Sequence, residues 1–314
     1  MLRIVGARVA RSALRLWGSD LAERFEVRRF AGPARHVAAL DGVRLVHLTD
    51  LHVGTVTPIE VQQAAVRIAG SLEPDLVAIT GDFVCHSQLH LAALAETIRS
   101  ISAPVVCVLG NHDHWAGAAE VARTLERSGA AVLNNALTTL TIRHQRLQVV
   151  GLDDAYTGQA DVARAVRGLR RDLPSVGLSH LAEEAEGLWS AGVPLVLSGH
   201  THAGQVTVAR LHELVLGRLV GHRYVHGLYG SRGAGGAGAV YVGAGVGAAV
   251  VPFRLGERGR REVTLFELGR PPGGFREDHA EQRGFAGRPP SPRRCYLRAT
   301  SAVRREQRRL RAVR

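Results

Sequence analysis

Residues 103–115 read APVVCVLGNHDHW, from Ala103 to Trp115. Val105 to Leu109 is an unbroken apolar run rich in valine, the pattern of a short strand buried on both faces. It stops at Gly110. Asn111, His112, Asp113 and His114 follow, a cluster of metal-ligand and acid–base groups placed where a parallel strand delivers its residues to a binding crevice. The same grammar occurs three more times: Arg44–Thr49 ends in Asp50-Leu51-His52, Leu76–Thr80 in Gly81-Asp82, and Pro194–Ser198 in Gly199-His200-Thr201-His202.

Between these runs the apolar spacing turns helical, over Pro58–Leu72, Leu89–Ser100 and Ala118–Ser128, with a proline opening the first. Asp50, Asp82 and Asn111 are 32 and 29 residues apart, one β-α unit each, so successive crossovers set them side by side. The pattern then changes. Ala131–Leu133, Leu137–Ile142 and Leu147–Val150 are β-rich, with a polar turn at Arg143–Arg146, and predict a hairpin that starts a second sheet. A helix over Asp161–Arg170, a strand over Ser175–Leu178 ending in Ser179-His180, and a helix around Glu183–Ser190 follow. Val206–Val208, Ala239–Val242 and Glu262–Leu268 read as closing strands. The expected class is α/β, a four-layer αββα sandwich of two mixed sheets with helices outside.

The net charge of +12 divides unevenly. Residues 270–314 hold 13 Arg against 4 carboxylates, residues 1–41 hold 8 against 4, and 42–269 are close to neutral at −1. The chain therefore divides into a basic N-terminal helix and lead-in (1–41), a neutral body (42–269) and an Arg/Pro-rich tail (270–314) whose composition is that of a disordered segment. A neutral body argues against a broad nucleic-acid face there and assigns any attraction to polyanions or anionic membranes to the ends. Phe25–His36 reads as an irregular or extended lead-in. No run of about 18 apolar residues exists to span a bilayer. Arg3, Arg8, Arg11 and Arg15 break the first stretch, which therefore lacks the apolar region of a secretory signal. It fits an amphipathic helix on a membrane surface or a helix packed on the body. Cys85, Cys107 and Cys295 lack paired spacing, which suits a reducing, cytoplasmic setting, with peripheral attachment at the inner face of the membrane as a further expectation.

Asp50, His52, Asp82, Asn111, His180, His200 and His202 join oxygen and imidazole donors with no thiolate. Such a set suits Mn, Fe or Zn in a reactive site rather than a closed structural zinc site. Seven ligands exceed what one transition metal takes and suit two ions sharing a bridge. Two ions about 3.5–4 Å apart clamp a phosphoryl group and lower the pKa of a bound water to near neutrality, which supplies a hydroxide nucleophile. Asp82, central in the strand order, is the natural bridge. His112 follows Asn111 directly and is placed to protonate the leaving oxygen.

In order and spacing, Asp50-x-His52, Gly81-Asp82, Gly110-Asn111-His112-Asp113, His180 and Gly199-His200-x-His202 resemble the calcineurin-like metallophosphoesterases. Gly199 to Gln205 (GHTHAGQ), Gly227-Leu228-Tyr229 and Pro252-Phe253-Arg254 resemble the bacterial branch that includes membrane-associated UDP-2,3-diacylglucosamine pyrophosphatases. The resemblance covers roughly residues 43–268. It implies one metal held by Asp50, His52, Asp82 and His202, and a second by Asp82, Asn111, His180 and His200. It further implies that His112 is the general acid, oriented by Asp113. The chain departs at Cys85, where many members carry an acidic residue, and at Leu181-Ala182-Glu183 after His180.

The expected activity is a two-metal phosphoric ester hydrolase, a phosphodiesterase or pyrophosphatase acting on a nucleotide-linked or lipid-linked phosphate such as a UDP-linked lipid. Two rivals stay open at this point: a nuclease using the same centre, with the Arg-rich tail on nucleic-acid phosphates, and a non-catalytic metal-binding scaffold. Other chemistry-bearing residues have plainer readings. His47 lies inside a strand and is structural; His86, His90, His114, His144 and His279 are solvated; Asp153-Asp154 is a turn or cap. His222 and His226, near Tyr229, are candidates to touch substrate. Gly233–Gly238 spells a dinucleotide fingerprint but precedes a strand, so that motif's mechanism fails. It reads as a loop that could border the active-site entrance.

Overall fold

The computed structural model describes residues 24–204, 221–248, 260–278 and 280–285. The N-terminal helix expected over the first residues, the strand expected at Val206–Val208, the Pro252-Phe253-Arg254 motif, His279 and Cys295 lie outside them. Twelve strands form two six-stranded sheets among the described residues. In chain order they are β1 (Phe25–Ala31), β2 (Val43–Leu48), β3 (Leu76–Thr80), β4 (Val105–Val108), β5 (Ala130–Val132), β6 (Ala136–Ile142), β7 (Gln145–Gly151), β8 (Ser175–Leu178), β9 (Leu195–Ser198), β10 (Gly227–Gly230), β11 (Ala239–Val242) and β12 (Arg261–Leu268). The first sheet runs β1-β12-β2-β3-β4-β5 and the second β10-β11-β9-β8-β7-β6. Five helices accompany them: α1 (Ile59–Ser71), α2 (Leu91–Arg99), α3 (Asn111–Arg127), α4 (Val162–Ala165) and α5 (Ala185–Ala191).

Alternation along the strands makes the layers. In β2, Val46 and Leu48 turn to a core shared with Val61 and Ala65 of α1, Leu94 and Ile98 of α2, and Val121 and Leu125 of α3. Leu45, on the opposite face, joins Val106, Val176, Leu195, Leu197, Tyr241 and Phe266 in the core between the sheets. Val150, Val196 and Val240 pack outward with Leu188 of α5 and Ala165 of α4. The result is the four-layer αββα sandwich. β2, β3 and β4 are mutually parallel, as are β7, β8, β9 and β11. Their carboxyl ends carry the ligand-type residues, and their amino ends form the opposite pole.

Several local expectations shift. Phe25–Ala31 is a regular strand, pairing in parallel with β12 over its whole length. Ala130–Val132 extends the first sheet beside β4 instead of opening the second, while β6 and β7 form the expected hairpin. The helix expected from Ala118 starts at Asn111 and kinks at Gly117 (φ 120°). The helix expected over Asp161–Arg170 shortens to Val162–Ala165, because Gly168 takes φ 86° and the Gln148 side chain bonds both backbone groups of Arg170. The tail expected from residue 270 is anchored over part of its length. The buried Arg232 pairs with Glu277 and Glu281, Asp278 accepts from the Arg29 amide at 2.6 Å, and Gln282 bridges to Tyr229. Few as the tail's carboxylates are, these three each find a donor on the body.

His47 is structural, as its place in a strand implied. Its Nε2 lies 2.8 Å from Thr80 Oγ1. Burial pushes its imidazole down to about 4, against an opposing pull from Glu262. Between the unfolded value of 6.5 and about 4, the unfolded chain binds a proton that the folded chain refuses, so stability is lost as the pH is lowered through that window. Urea unfolding of wild type and His47→Gln at pH 7 and pH 4 should show the variant losing less stability on acidification, by about 3 kcal/mol. Equal losses would remove His47 as a cause.

Candidate metal centre

Each ligand-type residue follows the carboxyl end of a strand, and most leave it in the left-handed region. Asp50 (φ 52°), His52 (44°), Asp82 (54°), His200 (73°) and His202 (52°) all have positive φ, at a cost on the order of 1–3 kcal/mol each. Tertiary hydrogen bonds hold them there. The Asp50 amide donates to Gly81 O, the His52 amide to Asp82 O, and the Gly247 amide to Asp50 O.

Asp82 is the centre. Its Oδ1 accepts from the His112 amide at 2.9 Å. Its Oδ2 lies 3.5 Å from His52 Nε2 and 3.4 Å from His180 Nε2. Around Oδ2 the donors fall into two groups, Asp50, His52, Asp82 and His202 in one, and Asp82, His180 and His200 in the other. Asn111 Oδ1 completes the second, 3.1 Å from His180 Nε2 and 3.0 Å from His200 Nδ1. In the first, His202 Nε2 lies 3.0 Å from His52 Nε2 and 3.3 Å from Asp50 Oδ1. All seven residues singled out from the sequence thus converge.

The electrostatics show what such a cluster needs. Burial raises the Asp50 carboxyl to about 6, with His180 pulling the other way. Asp82 is held well below its ordinary value, because His180 and His112 outweigh the burial that raises it. Against its own desolvation, His180 is lifted to about 10 by Asp82 and Asp50. Burial and neighbouring imidazoles push His52 and His200 well down. Asp50 Oδ1 and His52 Nδ1 are buried and make no hydrogen bond. A buried set of carboxylate, amide and imidazole donors with orphaned lone pairs fits divalent cations, and the two donor groups fit two of them. His180 Nδ1 donates to the Thr80 carbonyl at 2.8 Å, which leaves Nε2 as the donor toward a metal.

His112 sits at the edge, 9% exposed. Its Nδ1 donates to the Cys85 carbonyl at 2.5 Å, and its Nε2 lies 3.9 Å from Asp82 Oδ2. Asp113 does not orient this ring. Its Oδ2 accepts from the Gly110 amide at 2.9 Å, and its Oδ1 from the amides of Phe83 and Val84 at 2.8 and 3.2 Å. That carboxylate ties the loop after β3 to the first turn of α3; the Cys85 carbonyl sets the imidazole. The Cys85 thiol itself faces the His52 carbonyl at 3.6 Å, and burial pushes it up to about 12.

Other polar and aromatic residues around the cluster have partners of their own. His114, expected to be solvated, bonds Asp153 at 2.7 Å. Asp154 caps its turn through Thr157. His86 is exposed but stacks on His112 with ring centres 4.3 Å apart. His222 stands edge-on to His200 at 5.5 Å, beside the centre, whereas His226 bonds the buried Glu262 at 2.9 Å. Trp115 and Tyr156 complete a run of rings from His86 through His112 to His200. Tyr156 lies far from any ligand motif in sequence, and no local pattern marks it. The Gly233–Gly238 loop precedes β11 and so lies at the opposite pole. It is Gly247 that approaches the centre, where a Cβ would come within 2.8 Å of His52 Cβ.

A family model for calcineurin-like phosphoesterases matches residues 43–204. The uncharacterized metallophosphoesterase YkuE of Bacillus subtilis is 28% identical over 234 residues, covering 73% of this chain and 79% of that protein. Phosphodiesterase YaeI of Escherichia coli is 29% identical over 233 residues, covering 72% and 82%. The UDP-2,3-diacylglucosamine pyrophosphatase LpxG of Chlamydia muridarum is 27% identical over 222 residues, covering 54% and 67%.

Gly110 has an ordinary φ of −111°, yet a Cβ there would fall 2.3 Å from Asp82 Oδ1. The same Cβ would stand 2.6 Å from the Asp82 backbone nitrogen, so Gly110→Ala should displace both that carboxylate and the start of its loop. Calorimetric titration with Mn²⁺ should show affinity falling about 10–100-fold. Unchanged affinity would mean that the carboxylate can shift and still serve.

Proposed function

Because the chain belongs to the calcineurin-like phosphoesterase family, we propose that this hydrolase of phosphoric esters is a phosphodiesterase or pyrophosphatase that cleaves a nucleotide-linked or lipid-linked phosphate. The observation that carries the reading is the shared oxygen: Asp82 Oδ2 stands between His52 and His180, one from each donor group. Asp50, His52, Asp82 and His202 would hold one divalent ion, and Asp82, Asn111, His180 and His200 the other. When bound, such a pair polarises the phosphoryl group and lowers the pKa of an attacking water.

The chain's own residues supply the rest. With Nδ1 committed to the Cys85 carbonyl, His112 has only Nε2 to turn toward a substrate. Burial lowers its pKa against the pull of Asp82, which makes its imidazolium a stronger acid and suits delivery of a proton to a leaving alkoxide or phosphate. Stacking on His86 and a tilted contact with Trp115 fix the ring's plane. Trp115 and Tyr156 offer flat, partly apolar surface beside the centre, which favours a substrate with an aromatic base or other planar leaving group. The names of two relatives, a phosphodiesterase and a pyrophosphatase of a UDP-linked lipid, support a diester or pyrophosphate substrate.

No helix among the described residues is long and apolar enough to cross a membrane. Access to a lipid-linked substrate would then rest on the basic N-terminal stretch, peripherally at an anionic surface.

Hydrolysis of bis(p-nitrophenyl) phosphate and p-nitrophenyl phosphate with Mn²⁺ tests the reading. The diester should be the better substrate, and Asp82→Ala should lose both bound metal and turnover; an Asp82→Ala protein that keeps two metals would overturn the bridge. His112→Ala should keep its metals yet slow hydrolysis of an alkyl diester by about 10²–10⁴-fold, with less loss on the activated nitrophenyl diester. Equal losses on both would assign His112 to phosphate binding instead. Removal of residues 1–20 should reduce co-sedimentation with anionic liposomes, and unchanged association would defeat the peripheral-membrane role.

A further inference from the structure

The pole opposite the metal centre holds two adjoining cavities that the reaction does not use. Pro174 and Ser175 at the start of β8, and Pro194 before β9, line the smaller one. His180 and His200, past the far ends of the same strands, belong to the metal centre, about 15 Å of extended chain away. Both are open to solvent, the smaller with a volume of about 180 Å³ and the larger about 440 Å³, and Arg35, Arg171 and Gly192 line both.

The charges on this wall are unbalanced. Arg35 donates from Nη2 to the Gly236 carbonyl at 3.1 Å and has no carboxylate partner among the described residues. Arg171 has neither a hydrogen bond nor an ion pair among them. The two carboxylates at the rim are already engaged, Asp172 by Arg170 and Glu186 by Arg223 and Tyr224. His36 also lines the smaller cavity. It is 1% exposed; its ring faces the Ser175 backbone, with neither nitrogen in a hydrogen bond of good geometry. Ala237, in the glycine-rich Gly233–Gly238 loop, lines the larger cavity. The loop whose spelling suggested phosphate binding without the right context thus stands beside two unneutralised guanidinium groups.

Guanidinium forks match phosphate oxygens and bind them by charge-assisted hydrogen bonds, and the larger volume suits a small molecule. We propose that this pole is a second anion-binding site, which takes a small phosphate-bearing molecule between Arg35 and Arg171, with His36 as a buried hydrogen-bonding partner.

The test is calorimetric titration of inorganic phosphate into the full-length, Mn²⁺-loaded chain. Wild type should show two binding events. Arg35→Gln/Arg171→Gln should weaken one by about tenfold or more while leaving bis(p-nitrophenyl) phosphate turnover within about twofold; the double lysine variant should restore part of it. Asp82→Ala should remove only the other event. A single wild-type event that disappears in Asp82→Ala, or two events unchanged in the double glutamine variant, would overturn the proposal. So would loss of both events together with turnover, since the arginines would then be supporting the fold.

Discussion

A carboxylate buried among imidazoles is the constraint to which the rest of this structure answers. Asp82 lies almost wholly out of water, where an isolated negative charge is prohibitively costly. Yet it stays ionised, because His180, His112 and His52 surround it. The same arrangement suppresses protonation of His52 and His200 and leaves lone pairs on Asp50 and His52 unpartnered. Such a cluster is poor as a protein core and good as a cation site. The family membership and the two donor groups around one shared oxygen describe the same physical fact from different sides.

Holding those groups requires backbone geometry that the chain would not adopt by itself. Five ligand-type residues sit in the left-handed region. The strain is sustained because their amides and carbonyls are locked across strands, to Gly81, Asp82 and Gly247, and because two sheets with a continuous core between them stand underneath. Glycines are placed where even a methyl group would collide with the site: at Gly110 against Asp82, and at Gly199 against Thr49 and Asp50. Asp113 belongs to this scaffold. Its three hydrogen bonds go to backbone amides, so its contribution to chemistry is to keep the loop after β3 against the start of α3.

The two ends of the parallel strands have separate characters. At the carboxyl ends, ligands, the His112 ring and a run of aromatic rings gather around one buried centre. At the amino ends, arginines without acidic partners line open cavities. The sheets that separate these poles are packed with aliphatic side chains and Phe30, Tyr241 and Phe266, so the two regions are joined by rigid strands rather than by loops.

Much of this was legible in the residues themselves. Buried parallel strands announce themselves as short valine-rich runs, and a run that stops at glycine followed by Asp, Asn or His marks the end where ligands gather; all seven ligand candidates converge as that pattern implied. What the sequence could not supply were relations between distant segments. Nothing local states that Phe25–Ala31 pairs with Arg261–Leu268, that Glu277, Glu281 and Asp278 anchor on Arg232 and the Arg29 amide, or that His114 meets Asp153. The family resemblance implies Asp113 as the orienting partner of His112, whereas the contact is the backbone carbonyl of Cys85, a group that every residue carries and no side chain advertises. The Gly233–Gly238 loop lies at the pole away from the centre because the strand it precedes runs parallel to Leu195–Ser198, a pairing that no local pattern states. By itself, then, the sequence determined the strand faces, the candidate ligands and the class of chemistry, because periodicity and side-chain type are local properties. Only the tertiary structure decided register, left-handed backbone and the partners of each buried polar group, because those depend on which surfaces meet when the sheets close.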